Sequence, residues 1–234
     1  MTDRVSSRER QARLAGLFYF IHFVIGAIAL FLTKTIVVPG DAAATVANVA
    51  QHQSLYRLGF AAHLLVPSSY VVVTALLYHL FREVNETVSL TATFFSLLGC
   101  AVLSASCIFY LAPSLLHFTG QTSSATLDQQ RDLTMLFLNL HGQGFNSSNA
   151  FFAFYCLLLG WLIFRSRFMP RALGILVTVA GFGWLAFMWP PFARALSPYV
   201  LAPGVVGEGS LTLWLIFARS WHAPGEVSGS ARNS

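Results

Sequence analysis

Charge is what this sequence has least of. Only 10% of its 234 residues are Asp, Glu, Lys or Arg, while 56% are hydrophobic and the mean hydropathy is +0.64. A soluble domain carries about 25% charged residues because its surface meets water. So few charges cannot coat a 25.6 kDa globule, which leaves lipid as the solvent. Short apolar–polar alternations, the mark of a membrane barrel, are also missing. The apolar stretches are long and unbroken, and a helix satisfies its own backbone within such a run. Cysteine is scarce: Cys100, Cys107 and Cys156 all sit inside apolar runs. Their odd number admits no complete disulfide pairing, and they read as small packing residues. HExxH, CxxC, GxSxG and P-loop patterns are absent. The net charge of +5 comes from basic residues flanking the apolar runs. No separate basic patch with interleaved aromatics exists, which excludes nucleic-acid binding. The first apolar run is too long for a cleavable signal peptide and no small-residue cleavage site follows it.

What is present is a series of six apolar segments, at about 13–33, 55–81, 88–115, 141–164, 171–189 and 199–219. Roughly 20 residues at ~1.5 Å each cross ~30 Å of hydrocarbon. The prediction is an all-α polytopic membrane bundle of six transmembrane helices, one domain over 1–221, with a disordered Gly/Ser-rich tail at 222–234. Between the first two spans, Pro39-Gly40 reads as a turn and Asp41 as the N-cap of a short amphipathic helix. Pro67 predicts a kink in the second span, and 117–130 reads as a polar loop leading into one long helix from Leu127 to Phe164. Pro203, Gly204, Gly207 and Gly209 predict an irregular or unwound start to the sixth span. With the N-terminus in the cytoplasm, Arg4, Arg8, Arg10, Arg13, Arg82, Arg165, Arg167, Arg171, Arg219 and Arg232 fall inside. Only Lys34, Arg57, Arg131 and Arg194 fall outside. The positive-inside rule therefore places both termini in the cytoplasm.

Polar residues within the spans mark where function is to be sought. Glu208 lies roughly 16 Å from the inner boundary, near the bilayer centre. An acid there costs on the order of 2.5–3.5 kcal/mol and needs protonation, a cation or a hydrogen-bonding pocket. Depth along the helices sets His22 near the level of Glu208 as a possible partner. His63, Tyr70 and Thr74 share one face of the second span, spaced by near-whole turns. Asn139, Gln143, Asn146 and Asn149 form a polar stripe on the fourth span. Lipid would leave those amides unpaired, so the stripe must face the bundle or a cavity. At the outer edge, Arg57 is expected to pair with Asp41, with His141 close enough to join them. His63, His141 and Glu208 are metal-ligand types, but their spacing matches no metal motif and no metal is assigned. Gly174, Thr178 and Gly181, like Ser96 and Cys100, read as packing faces.

Several segments together resemble one bacterial membrane-protein family, that of domain of unknown function 4386 (DUF4386). They include Arg13-Leu14-Ala15-Gly16-Leu17, Val37-Val38-Pro39-Gly40-Asp41, Leu55-Tyr56-Arg57-Leu58-Gly59 and Leu140-His141-Gly142-Gln143-Gly144-Phe145. Met169-Pro170-Arg171-Ala172-Leu173-Gly174 and Gly207-Glu208-Gly209-Ser210-Leu211 continue the match in order. The resemblance implies a multi-pass protein of the bacterial inner membrane and brings no activity or cofactor with it. Three readings of function follow from the residues. The first is binding of a small or lipidic ligand in an outward-facing polar pocket, for transport or sensing. The second is a lipid-modifying enzyme using Glu208 and a histidine as acid and base. The third is a structural or regulatory partner of another membrane protein. The expected pocket comprises Glu208, His63, His22, His141, Gln143, Asn146, Asn149, Arg57 and Asp41.

Overall fold

The computed structural model describes residues 2–118, 126–196 and 199–217. It is 91% helical, with no strand among the described residues. Helix α1 spans Thr2–Ile36, α2 Ala42–Gln51, α3 Gln53–Phe81, α4 Glu86–Phe118 and α5 Leu127–Arg165. Helix α6 (Arg171–Leu185) ends in a 3-10 turn, α7 is the short Pro190–Ala195, and α8 (Ala202–Phe217) follows a second 3-10 turn. Five of these helices are long and apolar enough to cross a membrane, and α8 is a shorter apolar sixth. Large apolar side chains such as Phe20, Phe31, Leu98, Ile108, Phe182 and Leu213 point outward from all around the bundle. In water such a belt would be an aggregation surface; against lipid it is the natural exterior.

The six long helices form a closed ring in chain order. Helix α1 packs on α3, α3 on α4, α4 on α5, α5 on α6 and α6 on α8, and α8 returns to α1. Two close approaches hold this ring. A Cβ on Gly174 would lie 2.8 Å from the Gly160 carbonyl oxygen, and one on Gly160 would lie 2.3 Å from Thr178 Oγ1, so α5 and α6 cross nearly backbone to backbone. Likewise Gly16 of α1 sits against Leu215 and Ile216 of α8. One end of the bundle gathers the arginines: Arg8 pairs with Glu83 and lies over the Phe168 ring, and Arg165 and Arg171 stack on Trp161 and Phe164.

At the opposite end, Gly40 turns the chain with φ +80°, a conformation open to glycine. Asp41 then caps α2 by accepting from the Ala44 amide at 2.8 Å. Asn48 Nδ2 donates to the Ile36 carbonyl, tying α2 down onto the end of α1. Several expectations change here. Asp41 and Arg57 form no ion pair among the described residues: the cap three residues away satisfies Asp41 locally, and Arg57 is exposed. The sixth span is irregular for one 3-10 turn only, and Gly204, Gly207 and Gly209 all lie inside regular helix. Gly204 and Gly207 serve packing, since their Cβ positions would strike Trp184 and Leu176 of α6. The loop read at 117–130 is shorter, because α4 runs to Phe118 and Thr126 caps α5 with a capping box. The tail at 222–234, Arg219 and Arg232 lie outside the described residues.

The α5–α6 crossing generates a test. Gly174→Leu is expected to lower stability by about 1–3 kcal/mol or more through overpacking. Gly26→Ala, whose Cβ meets nothing within 4 Å, should stay within about 0.5 kcal/mol. Thermal unfolding of the purified variants in detergent measures both.

Candidate functional site

Glu208 is the centre of a buried cluster fed by four helices besides its own. Its Oε1 accepts from the Trp184 indole Nε1–H at 2.7 Å and from Cys156 Sγ at 3.8 Å. Its Oε2 accepts from the Tyr19 hydroxyl and, at 3.2 Å, from the Tyr70 hydroxyl. The two tyrosine oxygens also lie 2.9 Å apart, closing a three-membered network. An ionised carboxylate offers about four acceptor sites, and here four donors face it. Among the described residues no cation forms an ion pair with it. Neutral donors from α1, α3, α5 and α6 thus do what a counter-ion would do elsewhere. Gly204 makes room for this: a Cβ there would lie 2.1 Å from the Trp184 ring that reaches Glu208.

A second polar cluster lies about two helical turns farther along α3, toward the α2 end. His63 Nε2 is 2.9 Å from Thr33 Oγ1, and its ring meets those of His141 and Tyr110 at centroid distances of 4.7 and 4.6 Å. His141 Nδ1 lies 3.1 Å from the Ser106 carbonyl oxygen, which can only accept, so Nδ1 carries the proton. Tyr56 stacks on Tyr110 and donates to its carbonyl, binding α3 to α4. Between the two clusters, His22 holds the Val66 carbonyl at 3.1 Å and Ser69 Oγ at 3.2 Å, and packs edge-on to Tyr70.

The two clusters form opposite ends of one cleft of about 670 Å³. Its polar wall is the amide stripe of α5, where Asn139, Gln143, Asn146 and Asn149 all face the space. Apolar residues line much of the remainder, among them Ala27 and Leu30 of α1, Val66 of α3, Phe145 of α5, Leu201 of the second 3-10 turn and Val205 of α8. Asn146 Nδ2 reaches Gln143 at 3.5 Å, a long contact. Asn149 is 5% exposed and its Nδ2 has no hydrogen-bond partner among the described residues. A pocket of this size, mostly apolar with a few convergent polar groups, is of the kind that holds a small molecule.

Of the residues expected to form the pocket, Glu208, His63, His22, His141, Gln143, Asn146 and Asn149 are brought together around this cleft. Arg57 and Asp41 are not among its walls, and His141 joins His63 rather than either of them. His22 shares the cleft with Glu208 but makes no hydrogen bond to it; Tyr19, one turn earlier on the same face, does. Depth along a helix had fixed the height of His22 without its azimuth. Tyr19, Trp184 and the donor contact of Cys156 went unforeseen. Trp184 carried a readable signal, since an indole N–H far from the interface needs an acceptor. Among the described residues no group of three or more His, Cys, Asp or Glu is placed to hold a metal ion.

Fold and site together define a multi-pass membrane helical bundle with an internal polar cleft. The chain belongs to the family described as Domain of unknown function (DUF4386), which it matches over residues 14–218. It is also similar to an uncharacterized protein of Archaeoglobus fulgidus, 26% identical over 149 residues, covering 62% of this chain and 74% of that one. No solved structure matches it.

The Glu208 cluster makes a graded prediction. Glu208→Leu leaves the indole and tyrosine donors facing an apolar side chain, at a cost on the order of 1–3 kcal/mol for each one left unpaired. Glu208→Gln keeps an acceptor for Trp184 and can donate to the tyrosine oxygens, so it should lose less than half as much. A double-mutant cycle with Trp184→Phe should show a coupling of about 0.5–3 kcal/mol in thermal or denaturant unfolding. Additive losses would separate the indole from the carboxylate.

Proposed function

We propose that this protein binds a small or lipidic ligand in its intramembrane cleft, for transport or sensing. One observation supports this above the others. Along α5 the amides of Asn139, Gln143 and Asn146 line open space within the bundle and have no partner on another helix among the described residues. In hydrocarbon, unpaired amides are costly, and a bundle built only for association would pair them across helices. The acid–base reading finds less support, because the histidine expected beside Glu208 turns to α3 instead.

A lipidic ligand would reach the cleft between α1 and α8 and from the α2 end. Helices α1 and α8 meet closely at Gly16, near the arginine-rich end, and farther along they become two walls of the cleft. Helix α2 packs across α4 and α5 at the outer end. The arginine-rich end is placed in the cytoplasm and the cleft in the outer half of a bacterial inner membrane, the assignment the positive-inside rule favours.

Two experiments test this reading. Protein purified from its own membranes and analysed by native mass spectrometry should retain an amphiphile, and Gly26→Phe, which fills open cleft space, should retain markedly less without loss of thermal stability. Equal ligand content in both would overturn the pocket. For orientation, single cysteines at Glu86 and at Asp41 should react with an impermeant maleimide from opposite sides, Asp41→Cys from outside intact cells.

A further inference from the structure

The polar groups around the cleft are unequal in what they leave free, and that inequality selects a ligand. Glu208, the group with the most evident chemistry, is already saturated. Trp184 and Cys156 occupy one carboxylate oxygen and Tyr19 and Tyr70 the other. A ligand cation would have to compete with four built-in donors. An anionic head fares worse. No lysine or arginine lines the cleft among the described residues, so a negative charge there would be uncompensated in low dielectric. Among the described residues two buried polar atoms lack a partner, the Tyr155 hydroxyl and Asn149 Nδ2, and of the two only Asn149 belongs to the cleft lining. Asn149 is 5% exposed and lines the cleft, and its Nδ2 has no acceptor and is closed to solvent, so the amide turns about χ2 to present that donor to the cleft. A buried amide donor lacking a partner asks for an oxygen.

The apolar part of the cleft says what that oxygen is attached to. Leu30, Phe145, Leu201 and Val205 line the cleft and are each more than a third exposed. Gly26, on the α1 side, has nothing within 4 Å of its Cβ position. These residues make a hydrocarbon-lined slot between α1 and the opposing helices, at the depth of the lipid chains.

Resting on the pocket reading above, we infer that the ligand is an uncharged amphiphile whose head carries a hydrogen-bond-accepting oxygen. That oxygen is held by Asn149 rather than Glu208, and the hydrocarbon tail lies along the Leu30–Val205 slot, entering from the bilayer. Glu208 is a wall of the site, and its cluster fixes α1, α3 and α8 in the positions that keep the slot open.

Three C18 probes with the same dibrominated chain and different heads test this: an alcohol, a carboxylic acid and a primary amine. Bromine quenches tryptophan on contact. The readout is saturable quenching of Trp184 in phosphatidylcholine nanodiscs, with the other four tryptophans replaced by Phe. The alcohol should half-saturate at a mole fraction on the order of tenfold below the acid and the amine. Asn149→Leu should weaken the alcohol about tenfold while leaving thermal stability equal or higher, because it removes a buried unpaired amide. Asn149→Ala carries the same expectation for binding should the leucine variant fail to fold. Gly26→Phe should abolish saturable quenching. If the amine binds tightest and Glu208→Gln weakens it, or if the acid binds tightest, the head-group assignment is overturned while the pocket stands. The assignment also falls if Asn149→Leu and Asn149→Ala both bind the alcohol as well as the parent. If no probe quenches saturably and Gly26→Phe changes nothing, the pocket falls with it.

Discussion

The structure depends on satisfying one acidic side chain buried inside the bundle. Glu208 sits on the last described helix and has no ion-pair partner among the described residues, so its partners come from elsewhere in the ring. They come from α1, α3, α5 and α6, each delivering one donor to the same few ångströms. Removing such a group from water is expensive unless every lone pair is met, and low dielectric strengthens each bond that meets one. The network therefore acts as a positional lock. It sets how four helices stand around α8, more specifically than the apolar contacts that surround it.

With that lock at one level, the rest of the interior becomes intelligible as two polar floors with a space between them. The His63–His141–Tyr110 group ties α3, α4 and α5 at the far level. Between the floors α1 and α8 set Gly26, Ala27, Leu30 and Val205 along the cleft, and His22 is held by Val66 and Ser69 of α3. The mismatch of a polar wall against an apolar one is what an amphiphile would complement.

Much of this was legible in the sequence, and the limits have a physical cause. The spans could be read because hydrocarbon thickness sets helix length, and the Asp41 cap because it is local in sequence. The α5 stripe could be read because spacings of three and four put side chains on one face. What was not legible was which face of one helix turns to which face of another. His22 and Tyr19 are three residues apart and equally plausible by depth, yet only the longer tyrosine reaches Glu208. Arg57 and Asp41 were matched by charge and height, while a backbone amide three residues away met the acid first. Trp184 lay on a helix whose small residues suggested packing alone, and its nearness to Glu208 depends on Gly204 of α8, twenty residues later.

The closed ring in chain order has a consequence for biogenesis. Each long helix finds its neighbour in the one that preceded it into the membrane, so five of the six contacts can form as synthesis proceeds. The sixth, α8 against α1, joins the first and last described helices, and it brings the carboxyl group that the hydroxyls and indole face. A chain lacking α8 would expose those orphaned donors within the lipid. The buried acid is thus the last member of its own cluster to be synthesised.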